Sequence, residues 1–355
     1  LKIIYPFTVT DESFISSSLI EEAPAEWDNS VSYSVDDLVL NTSSWVLYKS
    51  LQDSNLNNEP SSSPAYWEDL GAAPPIKYSS DSTYNIGDLV TVLSTHKIYE
   101  SLIDANTGNN PPDFVGGLSP KWLEISATNR WKLFDGKLNS KSESYHKSLQ
   151  YIITSSSIIS GIALLQLEGA TVNITITDPI EGEVYNNTVN LISTKEVYDW
   201  SSYFFEPILF INDTTFLDLP LYRSATLYIT ISGEERVSLG ELVLGKVIDI
   251  GYTQYSPTFS IMDYSRKTVD TFGNYSVVER AYSKRTNFSI IVENSKINSI
   301  SKLLAEIRAI PIVWAATDNP YYESTLLTYG YYRDFSLVIP HPLYSEMDLT
   351  VEGLT

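Results

Sequence analysis

The sequence predicts a mainly β, multidomain protein. It reads as two tandem three-stranded β modules, a jelly-roll-like β-sandwich and a C-terminal α+β domain with one helix. Three observations carry this reading. Tyr is abundant (25 of 355 residues) while Met occurs only 2 times, a balance that favours strands. A segment near the N-terminus occurs twice. In the remainder, short apolar runs bounded by turn residues dominate, and one stretch alone carries a helical stripe.

Residues 1–23 read as an N-terminal arm, with Phe7-Thr-Val9 as a strand and Ser16-Ser-Ser18 as a breaker. The repeat follows. Trp27, Tyr33, Asp37-Leu38-Val39, Tyr48-Lys-Ser-Leu51 and Pro60 recur as Tyr78, Tyr84, Asp88-Leu89-Val90, Tyr99-Glu-Ser-Leu102 and Pro111, always 51 residues later. Each copy closes on a Trp, in Trp67-Glu-Asp-Leu70 and Trp122-Leu-Glu-Ile125. The copies span 24–72 and 73–126, joined at the stiff linker Ala72-Ala-Pro-Pro75.

Residues 127–246 read as the sandwich. Gly161–Leu165, Thr171–Thr177 and Ala225–Ile231 have strand composition, and Thr171–Thr177 alternates as a half-buried strand does. Residues 247–355 read as the α+β domain. Strands are expected at 259–262, 275–279, 287–292, 312–314, 326–330, 335–339 and 348–352. Ile300, Leu303, Leu304 and Ile307 share one face of a helix over 297–307, with Ser295 as N-cap and Ile310-Pro311 as its stop.

Charge and cysteine content narrow the partners. The net charge is −21, which disfavours nucleic acid and anionic lipid. Residues 1–126 hold 18 acidic and 5 basic side chains, whereas 127–355 hold 26 and 18, so the N-terminal part is the more solvated. No apolar run reaches membrane-span length, and the start lacks the layout of a signal peptide. With no cysteine, disulfides and thiolate metal sites are excluded, and no cofactor or metal is expected.

No nucleophile-elbow, phosphate-loop or zinc-protease motif occurs, and His96, His146 and His341 share no ligand spacing. Glu21-Glu22, Asp36-Asp37, Glu68-Asp69 and Glu234-Glu235 read as solvated surface rather than as a glycosidase pair, because neighbours in a strand point to opposite faces. Asp37 and Asp88 read as turn residues accepting backbone N–H bonds. Trp27, Trp45, Tyr66, Trp67, Tyr78 and Trp122 are the candidate glycan-binding aromatics. Those shared by both copies also read as core, since a module this small has little else to bury. Arg266, Lys267, Arg280, Lys284 and Arg285 form the densest basic region. They read either as a subunit interface or as an ordinary strand surface with cross-strand pairs.

The repeat resembles the family 5/12 carbohydrate-binding modules of chitinases. Tyr84-Asn-Ile-Gly87-Asp88-Leu-Val90, Tyr99-Glu-Ser101, Pro111 and Trp122 match that pattern. The first copy has Asp36 in place of the Gly, and Leu51-Gln52 and Leu102-Ile103 stand where the family often has an aromatic pair. The remainder resembles bacteriophage tail or baseplate virion proteins, through Thr128-Asn-Arg-Trp-Lys-Leu-Phe-Asp-Gly136, Tyr203-Phe-Phe-Glu-Pro207, Asp263-Tyr-Ser-Arg-Lys267, Arg280-Ala-Tyr-Ser-Lys-Arg285 and Val351-Glu-Gly-Leu-Thr355. That resemblance implies a non-enzymatic virion component that is made in the bacterial cytoplasm. It would assemble with other virion proteins as a homo-oligomeric ring, with the modules exposed toward host glycans. The alternative is an accessory polysaccharide-binding protein of a secreted system, and a third reading is a glycan hydrolase.

Overall fold

A computed structural model describes residues 1–155, 157–193, 199–205, 209–269, 271–317 and 323–354. Glu206-Pro207, Thr355 and the side chain of Tyr203, all part of the readings above, lie outside the described residues. The architecture is mainly β, as expected. Two small modules, a β-sandwich and an α+β region with one helix of ten residues are all present.

The centre of the molecule is a ten-stranded antiparallel sheet that curls like half a barrel. Its strands run in the order Thr214–Phe216, Gly161–Leu165, Glu241–Asp249, Lys2–Pro6, Ile312–Ala315, Leu327–Val338, Tyr344–Gly353 and Tyr282–Glu293. Tyr252–Thr253 and Thr258–Asp263 both pair with the last of these. Three of these strands depart from the sequence reading. Lys2–Pro6 lies mid-sheet between residues 245–249 and 313–315, so the start of the chain is not an arm. Glu241–Asp249 runs through the boundary expected at 246/247, so sandwich and α+β region share one sheet. The strands expected at 326–330 and 335–339 are one strand, Leu327–Val338, with a bulge at Tyr332/Asp334.

Lys2–Pro6 was missed because both of its faces are buried. Ile3 packs with Phe288 and Trp314 on one side, while Ile4 packs with Ala163 and Val243 on the other, and neither has any exposure. A strand covered on both faces shows no alternation. Gly245, its partner across from Pro6, has no room for a side chain, since a Cβ there would sit 1.9 Å from the Tyr5 carbonyl oxygen.

One end of the large sheet forms the sandwich with a five-stranded sheet ordered Gly182–Asn190, Thr171–Asp178, Thr226–Ser232, Ser148–Thr154, Phe14–Ser17. Thr171–Asp178 alternates in burial as its sequence predicts, and Val172, Ile174 and Ile176 meet Leu227, Ile229 and Ile231 in one core. Each such side chain contributes roughly 1.5–3 kcal/mol by leaving water. Phe14–Ser17 includes two of the serines read as a breaker, while Phe7–Val9 is not a strand. The other end of the large sheet carries the helix Ile297–Glu306. Ile300, Leu304 and Ile307 are buried against Phe288 and Ile290, and Leu303 is half-buried. Its N-cap is Lys296, not Ser295, because a 3-10 turn over Asn294–Lys296 takes up the start. It stops before Ile310-Pro311, through the left-handed Ala309. No helix among the described residues is long and apolar enough to cross a membrane.

Because Ser16 and Ser17 pair with Ile152 and Tyr151, the chain leaves the body and returns to it at neighbouring strands. Both modules lie in the excursion between them.

Inside the curl, Glu241 is buried beneath Tyr329. It accepts hydrogen bonds from the Tyr329 hydroxyl (3.3 Å) and the Gly136 N–H (3.1 Å). Burial, reinforced by the nearby Asp135 carboxylate, pushes the Glu241 carboxyl up to about 8. The folded chain therefore keeps a proton that the unfolded chain releases near 4.5. Stability is accordingly expected to fall by on the order of 4 kcal/mol as pH rises from about 4.5 to 8. Glu241→Gln should flatten that fall. Urea unfolding at pH 5 and pH 8 measures it, and equal slopes for both proteins would refute the assignment.

Candidate functional site

The two modules share a polar skeleton, atom for atom. Asn55 Nδ2 donates to Ser50 Oγ (3.1 Å) and to the Tyr66 carbonyl (3.3 Å), and Asn106 does the same to Ser101 (3.0 Å) and Lys121 (3.3 Å). The Trp67 indole donates to the Asn58 carbonyl at 2.8 Å, and that of Trp122 to Asn109 at 2.9 Å. Asp37 and Asp88 each accept a backbone N–H at 2.7 Å, from Ser34 and Asn85, as turn residues do. Asp36 and Gly87 occupy equivalent left-handed positions (φ 68° and 88°), which accounts for the glycine in one copy.

The first module has the three-stranded sheet Leu38–Asn41, Val46–Ser50, Trp67–Ala72. The second adds a short parallel strand, Ile76–Lys77, to its own three. This skeleton places most candidate aromatics inside. Trp67 and Trp122 are core residues. Trp27 and Tyr78 lean on those cores, and the indole nitrogen of one and the hydroxyl of the other are buried without a partner. Trp67 and Trp122 therefore present no free stacking face, while Trp27 and Tyr78 are half-buried. Trp45 and Tyr66 remain, each 36% exposed. They do not converge. Trp45 precedes the Val46–Ala72 pair at one end of the sheet, and Tyr66 precedes Trp67, which pairs with Ser50 at the other.

Sequence reading missed how the modules are held. His96 sits at the tip of the second module's hairpin. Its Nδ1 lies 2.9 Å from Glu21 and its Nε2 2.7 Å from Asp11, with its ring stacked on Trp131 at 3.9 Å. Each ring nitrogen thus lies within hydrogen-bond reach of one carboxylate. Thr128 Oγ1 donates to the same buried Glu21 at 2.7 Å. In the first module Glu68 lies between Lys49 (3.1 Å) and His146 (3.3 Å), and Gly71 faces the Tyr145 ring. Glu21 and Glu68 are thus docking groups rather than solvated surface. Between the first module, the linker and the sandwich lies an open cleft of about 880 Å³, lined in part by Leu38, Leu47, Lys49 and Tyr145. The repeat itself held a signal. His96 stands where the first copy has Trp45, so the two tips have different tasks.

The basic region divides. Lys284 and Arg285 are engaged within the chain, with Asp213 (3.4 Å) and Glu352 (3.7 Å), and the latter is a cross-strand pair. Arg266, Lys267 and Arg280 are exposed. They belong to an arm. Beyond Asp263 and Tyr282 the hairpin leaves the large sheet, and Arg266–Val269 and Tyr275–Val278 pair only with each other among the described residues. Both faces are exposed. Val269, Tyr275, Val277 and Val278 are all in solvent, Phe272 at the tip is 88% exposed, and the Lys267 ammonium lies 4.8 Å from the centre of the Tyr275 ring.

Compared with known proteins, the chain matches no family model and no curated sequence.

His96→Ala is expected to raise hydrogen exchange at Val92–Lys97 and 126–132 about ten-fold while leaving the first module unchanged. Gly71→Ala should do the converse, because the added Cβ would lie 2.5 Å from the Tyr145 ring. Exchange mass spectrometry separates the two; a uniform change across both modules would show that they are not docked independently.

Proposed function

We propose that the chain is a non-enzymatic structural component of a tailed-bacteriophage virion, in the tail or baseplate region. It assembles with copies of itself and other virion proteins through its C-terminal half and holds the modules toward host-surface glycans. The observation that supports this best is the arm. A two-stranded hairpin with apolar side chains on both faces has no core of its own and is marginal in water without a partner. The tail-protein phrases and the charge imbalance point the same way. The exposed Trp45 and Tyr66 favour glycan contact, and repetition around an assembly turns weak single contacts into avidity. They equally suit the second reading, an accessory polysaccharide-binding protein, which requires no assembly.

Replacing residues 264–281 by an Asn-Gly turn closes the hairpin at the Asp263–Tyr282 pair. The intact chain is expected to be an oligomer by light scattering and the shortened one a folded monomer. An unchanged mass would overturn assembly through the arm. Trp45→Ala should weaken retention on host cell-wall polysaccharide about ten-fold through loss of one stacking face. Equal retention would remove glycan binding from the first module.

A further inference from the structure

The five-stranded sheet ends in an edge that no further strand pairs among the described residues. Gly182–Asn190 is nine residues long and has Thr171–Asp178 as its one strand partner among the described residues. Edge strands are ordinarily protected by lysine, proline or a covering element, because their free N–H and C=O groups template further pairing. This one has neither Lys nor Pro, and its residues are exposed or half-buried. The approach to it is acidic and apolar. Residues 178–190 carry Asp178, Glu181 and Glu183 and no basic side chain. Ile180 is 92% exposed, and Leu221 (69%) precedes Tyr222, whose hydroxyl donates to Glu181 at 2.6 Å.

The arm has the complementary character. Its strand Arg266–Val269 carries two cations and no anion, Arg280 follows Glu279 just beyond the facing strand with its N–H on Ser265 Oγ (3.0 Å), and Val269 and Tyr275 are apolar and exposed. Both strands of the arm keep one edge unpaired among the described residues. We infer that the occupant of the Gly182–Asn190 edge is the arm of a second copy of this chain, added as a further antiparallel strand. Main-chain bonds supply the register of such an addition, and alternate side chains supply its selectivity. Arm and edge are different surfaces, and a head-to-tail contact between them forms a ring where the rotation between copies closes. This inference rests on assembly through the arm and adds the surface that receives it.

The test uses the full-length chain with reversed charges. Arg266→Glu with Lys267→Glu on the arm, or Glu181→Lys with Glu183→Lys on the edge, should each raise the self-association constant for dissociation at least about ten-fold at low salt. The four changes together should recover most of the loss. If the edge reversal leaves association within about two-fold while deletion of 264–281 still yields monomers, the arm docks elsewhere; the inference fails and the proposed function stands. If the intact chain is monomeric at 100-fold above working concentration, roughly 100 μM, the second copy is overturned as the occupant. Cysteine pairs give a readout that does not depend on charge, since the chain has no cysteine of its own. Thr268→Cys protein mixed with Asn186→Cys protein should be joined by a short bismaleimide into a heterodimer. Failure to join, with both variants folded by circular dichroism, would overturn the seating.

Discussion

The constraint on which the rest of the molecule depends is the seating of Lys2–Pro6 between Glu241–Asp249 and Ile312–Ala315. Among the described residues, no other strand joins the sandwich end of the large sheet to the helix end. Its two isoleucines enter separate cores on opposite faces, and the side chains of Ile312–Ala315 beside it divide between the same two cores. The close approach at Gly245 fixes the register, because a one-residue slip would set a side chain against the Tyr5 backbone and turn every strand residue to the wrong face. Residues from the beginning, middle and end of the chain are thereby held in a single cooperative sheet.

A second, smaller logic governs the modules. Their stability rests on a few aromatic side chains laid over a buried Asn–Ser pair and an indole bonded to a loop carbonyl. Repetition preserved the groups that satisfy buried polar atoms and released the positions at the hairpin tips. One tip became an exposed Trp45. The other became His96, which sits between two carboxylates of the body.

Much of this was legible in the sequence. The repeat, the alternation of Thr171–Asp178 and the stripe of the helix each reported one local periodicity, and each was found where that periodicity placed it. What was not legible depended on contacts between residues far apart in the chain, from tens of positions to hundreds. Lys2–Pro6 has the composition of an unremarkable apolar pentapeptide until both of its faces are covered. Glu21 and Glu68 look solvated because their partners lie 75 and 78 positions away, at His96 and His146. The candidate site was half-readable. Composition identified the aromatics and the basic cluster, but the choice between core and surface, and between Arg266 and Arg285, was made by the tertiary fold.

The pairing of Ser17 with Tyr151 has a consequence for how such a protein changes over generations. The chain departs and re-enters at adjacent strands, so the two modules form a cassette spliced into one connection of the body, whose returning segment carries Leu133 into the sandwich core. Closing a longer loop costs little more than closing a short one, since the entropy grows only with the logarithm of its length. Modules can be duplicated, lost or exchanged there without altering a strand of the central sheet. Their only further obligation is a pair of contacts with the body, and a histidine at a hairpin tip is a small thing to acquire. The tandem repeat is the visible record of one such duplication.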